Sequence, residues 1–107
     1  MKNINQFEIY WVNLDPVVGR EIKKTRPAII VSPDVMNKTV DTLIVVPLTR
    51  RVIDWPFRMA VQLGDQLVSA ACDHIRSVSK KRLQNKIGSL NQKDRQKILA
   101  LIQEIFA

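Results

Sequence analysis

The chain has 107 residues, 46% of them hydrophobic and 25% charged, which is enough for one domain with one core and ordinary for a soluble globular fold. Its 17 Lys+Arg against 10 Asp+Glu leave a net charge of +7, a bias toward polyanions, nucleic acid above all, or toward acidic protein partners. No apolar run approaches the ~20 residues of a membrane span, the opening MKNINQFEIYWVNL lacks a secretory-signal pattern, and the single Cys72 allows no internal disulfide, so the cytoplasm is the expected compartment.

Residues 8–14, EIYWVNL, are rich in aromatic and β-branched side chains and predict a first strand, ended by Asp15-Pro16. A charged loop over 17–25 carries Gly19, Arg20, Glu21, Lys23 and Lys24. It runs into PAIIVS (27–32), a short apolar segment bounded by prolines and so a buried-type strand. Ser32-Pro33-Asp34 reads as a turn and Asn37-Lys38 as a connector. TLIVVPL (42–48) predicts another buried strand, with Pro47 suggesting an edge or a bulge near its end.

Residues 57–63 alternate, with Phe57, Met59, Val61 and Leu63 on one face and Arg58, Ala60 and Gln62 on the other, the pattern of a half-buried antiparallel strand. One or two further strands are expected over 67–79, broken near Asp73-His74. A basic run, Lys80-Lys81-Arg82, follows, and Gly88 marks a bend. The clearest helix begins at an Asn91 cap with Asp94 three residues on; Ile98, Leu101, Ile102 and Ile105 form its apolar stripe. The sum is a mainly β domain, mostly antiparallel, closed by a C-terminal α-helix. Trp11 and Cys72 are expected in the core.

Chemistry is poorly supplied for a metal: there is one histidine, one cysteine and no paired spacing such as CxxC or HxxxH. The three glycines are scattered and make no phosphate loop. The better constellation is Glu21, Arg26 and Thr49. Pro27 biases Arg26 toward extended geometry at a strand start, while Thr49 ends another strand. If those strands pair antiparallel, a guanidinium, a hydroxyl and a carboxylate converge at one rim. Metal-free RNA cleavage needs such a set: a base for the 2′-hydroxyl, a charge for the crowded phosphate and a donor for the leaving oxygen. Arg26 suits the phosphate because its charge is permanent, which also makes it a poor acid or base. Glu21 is the better candidate base, though a weak one at an unperturbed pKa near ~4.3. The plainer readings are a surface Glu–Arg pair and a strand-ending hydroxyl bonded to backbone. Trp55, in a basic loop, can stack on a base or simply pack. His74 beside Asp73 reads as a base or stacking ring, or more plainly as a lone half-buried histidine. In a regular strand the two side chains would point to opposite faces.

The blocks IYWVNLDPVVGREI, TRPAIIVSP, VVPLTRR, WPFRMAV and ACDHIRSVSKKRL, in this order and spacing up to the closing helix, resemble the MazF/PemK family of toxin endoribonucleases from type II toxin–antitoxin systems. The resemblance implies an SH3-like barrel with a C-terminal helix, acting as a homodimer without a cofactor. It implies metal-independent cleavage of single-stranded mRNA to 2′,3′-cyclic phosphate and 5′-hydroxyl ends. It also implies neutralisation by a MazE-like antitoxin whose acidic tail occupies the basic RNA groove, and DNA binding by the toxin–antitoxin complex. The family's arginine falls on Arg26, its threonine on Thr49 and its acidic residue on Glu21. Arg20, Lys23, Lys24, Arg50, Arg51, Trp55, Asp73, His74, Arg76, Ser77 and Lys80 are then the candidate RNA contacts. Two departures stand out: His74 replaces a glutamine of many relatives, and Ala71 replaces an arginine of some, so that either Arg50 or Arg76 supplies a second guanidinium or the mechanism runs without one. Two other functions remain compatible with the chain: a gyrase-poisoning toxin of the same fold, and a non-catalytic nucleic-acid-binding barrel.

Overall fold

The computed structural model describes residues 3–14, 19 and 24–107. Among them, β-branched and apolar runs form seven strands: β1 (Glu8–Asn13), β2 (Thr25–Ile30), β3 (Thr42–Thr49), β4 (Arg58–Leu63), β5 (Gln66–Ala71), β6 (Arg76–Ser79) and β7 (Leu83–Ser89). Two helices accompany them, α1 (Asp34–Thr39) and α2 (Gln92–Ile105). All pairings are antiparallel, in the order β4-β5-β3-β2-β1-β7, with β6 on β3 beside the start of β5's contact. The sheet curls on itself as an SH3-like half-barrel with the helix α2 packed against it.

The pleat separates two apolar faces. Ile9 lies opposite Ile29, and Ile29 opposite Val46; these residues join Leu48, Val68 and Leu90 in the larger cluster. Helix α2 closes that cluster with fully buried Ile98, flanked by Leu101 and Ile102. Burying one such side chain contributes about 1.5–3 kcal/mol. The alternate residues Tyr10, Val12, Ala28, Ile30, Leu43 and Val45 form the second cluster on the opposite face.

Several expectations need correction. Pro47 is not at an edge: it is buried within β3 and lies opposite Ala28. It stands where β3's other partner changes from β6, which ends at Val45, to β5, which begins at Leu48. The Asn37-Lys38 connector is the short helix α1, held because Asn37 is buried and its amide donates to the Ser32 carbonyl at 3.0 Å. Strand β7 follows the basic run; its largely exposed sequence carries little apolar period. Trp11 is 40% exposed rather than in the core. Cys72 is buried as expected, and burial pushes its thiol up to about 11. Asn91 caps α2 as expected, accepting the Asp94 amide at 2.9 Å. No helix among the described residues is long and apolar enough to cross a membrane.

Candidate functional site

Register brings the site together. Along β2 and β3, Ile30 faces Val45, Ile29 faces Val46 and Ala28 faces Pro47. Continuing that alternation sets Arg26 opposite Thr49. On their outer sides Arg26 faces Val12 of β1, and Thr49 faces Ser69 of β5, itself opposite Ala60 of β4. Val12–Arg26 and Thr49–Ser69–Ala60 are paired runs, and continuing the β2–β3 alternation joins them into one cross-strand row on one face of the sheet. The antiparallel arrangement expected of the two apolar strands is present, and Arg26 and Thr49 lie at adjacent ends of them.

Arg26 is half-buried and lines a groove of about 290 Å³ with Arg50, Thr25, Trp11, Pro27 and Leu48. Two arginines among largely apolar lining residues give the groove a positive character that suits an anion. Thr49 precedes Arg50 directly, and its Oγ1 accepts the Arg51 amide at 3.2 Å. The backbone bond expected as the plainer reading is thus real. It uses an acceptor site and leaves the hydroxyl proton available to donate. Arg51 and Lys24 are exposed. Glu21, Arg20 and Lys23 lie outside the described residues, as does most of the loop that carries them.

A second group of side chains lies on the same sheet face, two residues further along the strands. Arg58 of β4 is paired with Ala71 of β5. Its Nε donates to Asp73 Oδ1 at 2.7 Å and its Nη2 to Oδ2 at 3.0 Å, a two-point grip with the Arg58 side chain only 8% exposed. The Arg58 guanidinium also lies over the Trp55 ring, 5.0 Å from its centroid, and Trp55 packs on Phe57. Asp73 and His74 are in a 3-10 turn, not a strand, and this geometry brings His74 Nε2 to 3.5 Å from Asp73 Oδ2. The break expected near Asp73-His74 is this turn, and the opposite-face argument for a regular strand does not apply to it. Burial alone would raise the Asp73 carboxyl, but the hydrogen bonds from Arg58 and the turn backbone, with the nearby positive charge, outweigh it and hold the carboxyl below its ordinary value. Asp73 is thus gripped by Arg58 on both carboxylate oxygens while remaining partly exposed. Arg58 was absent from the sequence-derived candidates, because only β4–β5 pairing and the turn bring it to Asp73.

Arg76 shares the same face, opposite Val45, and its Nη1 donates to the Leu14 carbonyl at 3.2 Å, across 62 residues of sequence. It ties down the end of β1, where the 15–25 segment departs. Ser77 is exposed and points to the other face, opposite Ile44. Lys80 does not join the site. It follows Ser79, which pairs with Thr42 at the far end of β3 from Thr49, and its Nζ donates to the Asn37 carbonyl at 2.5 Å. That bond secures α1. Among the described residues no three His, Cys, Asp or Glu side chains form a group that could hold a metal.

Comparison with known proteins agrees with this architecture. Residues 5–106 match the family model described as PemK-like, MazF-like toxin of type II toxin-antitoxin system. The chain is 36% identical over 94 residues to endoribonuclease MazF9 of Mycobacterium tuberculosis, covering 78% of this chain and 80% of that protein. In fold it is similar to the crystal structure of MazF from Deinococcus radiodurans, with a TM-score of 0.88, 22% identity and 99% and 98% of the two chains covered. It is also similar to a mycobacterial endoribonuclease solved in complex with its cognate antitoxin, with a TM-score of 0.82, 19% identity and 96% and 94% covered. The matched residues span the chain from before β1 to the end of α2, and the chain belongs to the PemK-like, MazF-like toxin family of type II toxin–antitoxin systems.

Proposed function

We propose that the row through Arg26 and Thr49 is the cleavage centre of a metal-independent endoribonuclease acting on single-stranded mRNA. The single observation that carries this reading is the β2–β3 register, which, continued two residues past Ala28 and Pro47, brings the strand-start Arg26 and the strand-end Thr49 to the same rim of the sheet.

In this reading the RNA 2′-oxygen attacks its own 3′-phosphorus. The 2′-O–P bond forms, the P–O5′ bond breaks, and the products are a 2′,3′-cyclic phosphate and a 5′-hydroxyl. Arg26 stabilises the charge that grows on the non-bridging oxygens, with Arg50 as the second cation of the groove. Arg50 fits that part better than Arg76, whose guanidinium is engaged by the Leu14 carbonyl. The Thr49 hydroxyl donates to a phosphate oxygen or to the departing 5′-oxygen. Glu21 is assigned the proton of the 2′-hydroxyl on residue type alone. Lys24 and Arg51 extend the positive surface along which RNA runs.

The same charge supports neutralisation by an antitoxin with an acidic tail, which would compete with RNA for one surface. A homodimer is supported by apolar surface at the end of α2. Phe106 is 72% exposed there, beside a groove of about 740 Å³ lined by Leu99, Ile102 and Phe106. A cytoplasmic site of action fits an mRNA substrate, and DNA binding by the toxin–antitoxin complex fits the net charge.

The test is incubation of the purified protein with single-stranded RNA in excess chelator, beside Arg26→Ala and Thr49→Ala. The expected result is cleavage by the parent, cyclic-phosphate ends, and loss of rate in both variants. An inactive parent, or variants as active as the parent, would reject the reading. Activity that vanishes only with chelator would reject the metal-free chemistry.

A further inference from the structure

The Arg58 guanidinium uses both of its recognition surfaces at once. Its edge chelates Asp73, and its face covers Trp55. The two partners belong to different segments: Trp55 to the loop before β4, and Asp73 to the 3-10 turn after β5. Arg58 is therefore the point at which loop and turn are joined. Ala71, fully buried, lies directly opposite Arg58 across the β4–β5 pair, two residues before Asp73.

This joined unit has two surfaces turned outward. Trp55 is 44% exposed, and the His74 side chain is about a quarter exposed (26%). Between them lie Arg58 and Asp73, which grip each other at two points while Asp73 stays partly exposed. The exposed parts of the aromatic ring and the imidazole are the groups this unit turns toward a ligand. A single-stranded base has a π-face for the first and a hydrogen-bonding edge for the second. The unit sits on the sheet face of Thr49, one row along and two strands across. With strands about 4.8 Å apart and a rise of about 3.3 Å per residue, that separation is on the order of 12 Å. It is the distance of a neighbouring nucleotide, not of the scissile phosphate.

We infer that Arg58 is a positioning residue for substrate selection: by locking the Trp55 loop to the Asp73–His74 turn, it builds a subsite for a base flanking the cleavage point. The inference rests on the endoribonuclease reading above. Arg58 touches no reacting atom; it acts through Trp55 and His74. A lysine at 58 keeps the charge but loses the fork that grips both carboxylate oxygens, and it covers the indole less well.

The experiment first maps the cleavage sites of the parent on a long single-stranded RNA. It then measures kcat and KM on short RNAs that differ in one base on either side of the cut. Arg58→Lys and Asp73→Asn are compared with the parent at a temperature where melting curves show all three folded. The expected result is a KM for the preferred RNA raised by roughly tenfold or more, a smaller change in kcat, and a flattened preference at one flanking base. The reversed pair, Arg58→Asp with Asp73→Arg, should recover part of that preference. Folded variants whose base preference equals the parent's would overturn the inference and leave the nuclease reading intact. A parent that cleaves no RNA would overturn the nuclease reading, and this inference with it. Variants that lose thermal stability but keep the parent's preference while folded would show that the pair is merely structural.

Discussion

Ala28 lies directly opposite Pro47 across the β2–β3 ladder, and this pairing, continued two residues, sets Arg26 and Thr49 on the same face at the rim of the sheet. A slip of one residue would turn Arg26 to the other face of the sheet, away from Thr49. The slip is resisted from both sides, since Ala28, Ile30 and Val45 belong to one core and Ile29 and Val46 to the other.

Loss of the Arg26 guanidinium should therefore lower the cleavage rate. Arg26→Ala is expected to lower kcat by about 10²–10³, the effect of removing one preorganised donor to a developing charge. Arg26→Lys should recover part of that rate. Thr49→Ala should cost less in rate, since a neutral hydroxyl stabilises developing charge less than a guanidinium, and it should also release the Arg51 amide. Single-turnover cleavage of one defined RNA, with melting curves on each variant, checks this.

Glu8 makes the fold acid-sensitive. It is 7% exposed and accepts the Asn5 amide at 2.7 Å, the Tyr10 hydroxyl at 3.1 Å and Lys86 Nζ at 2.7 Å. Burial pulls its carboxyl upward, but these donors outweigh burial and the net shift is downward. Asp73 is lowered in the same way. A depressed carboxyl contributes stability above its unfolded pKa and loses it as pH falls through the folded one. The melting temperature should thus fall as pH drops below about 4.3. Tyr10 gives the opposite limb: burial and then Glu8 push its hydroxyl up to about 12. Its contribution is complete below the ordinary value near ~10 and is lost as pH rises through the folded value. Glu8→Gln should weaken the acid limb and cost about 1–3 kcal/mol at neutral pH. Most of that comes from the buried donors, since Lys86 is half exposed and its charge is screened. Melting temperature against pH for parent and variant tests both limbs.

Ser69 sits in the cross-strand row between Thr49 and Ala60, 1% exposed, and its Oγ has no hydrogen-bond partner among the described residues. A buried hydroxyl without a partner is destabilising relative to a methyl group. Ser69→Ala should raise stability by about 1 kcal/mol. Denaturant unfolding gives the number; a destabilised Ser69→Ala would mean that the hydroxyl finds a partner in solution.

At the start of α2, Asn91 Oδ1 accepts the Asp94 amide while its Nδ2 donates to the Asp94 carboxylate at 3.1 Å. Asn91→Ala removes both bonds and should cost about 1 kcal/mol. For a domain of this size that is a fall in melting temperature of about 4–8 °C. Because α2 supplies Ile98 to the core, the loss should appear as a lower global midpoint, not as local fraying.

Much of the architecture is legible in local pattern. Strands 27–32 and 42–48 are continuous apolar runs, and the structure forms β2 and β3 over nearly the same residues. The α2 stripe and its cap are equally plain. Strand β7 is not, because it is an exposed partner of β1 alone and needs no apolar period. Helix α1 is not, because its six residues depend on Asn37 being held by Ser32 in the interior.

Residue type and short-range periodicity are properties of the chain itself. Without any coordinates they identify a basic β domain with a closing helix and single out Arg26 and Thr49 as the residues suited to phosphate chemistry. Partnership is different, because it depends on which distant strands the curled sheet makes neighbours. Arg58 meets Asp73 across 15 residues, and Arg76 meets Leu14 across 62. The same packing exposes Trp11 at a groove and carries Lys80 to the far end of β3. Local sequence names the charges; the long-range register decides which of them reach a substrate and which are spent holding the fold.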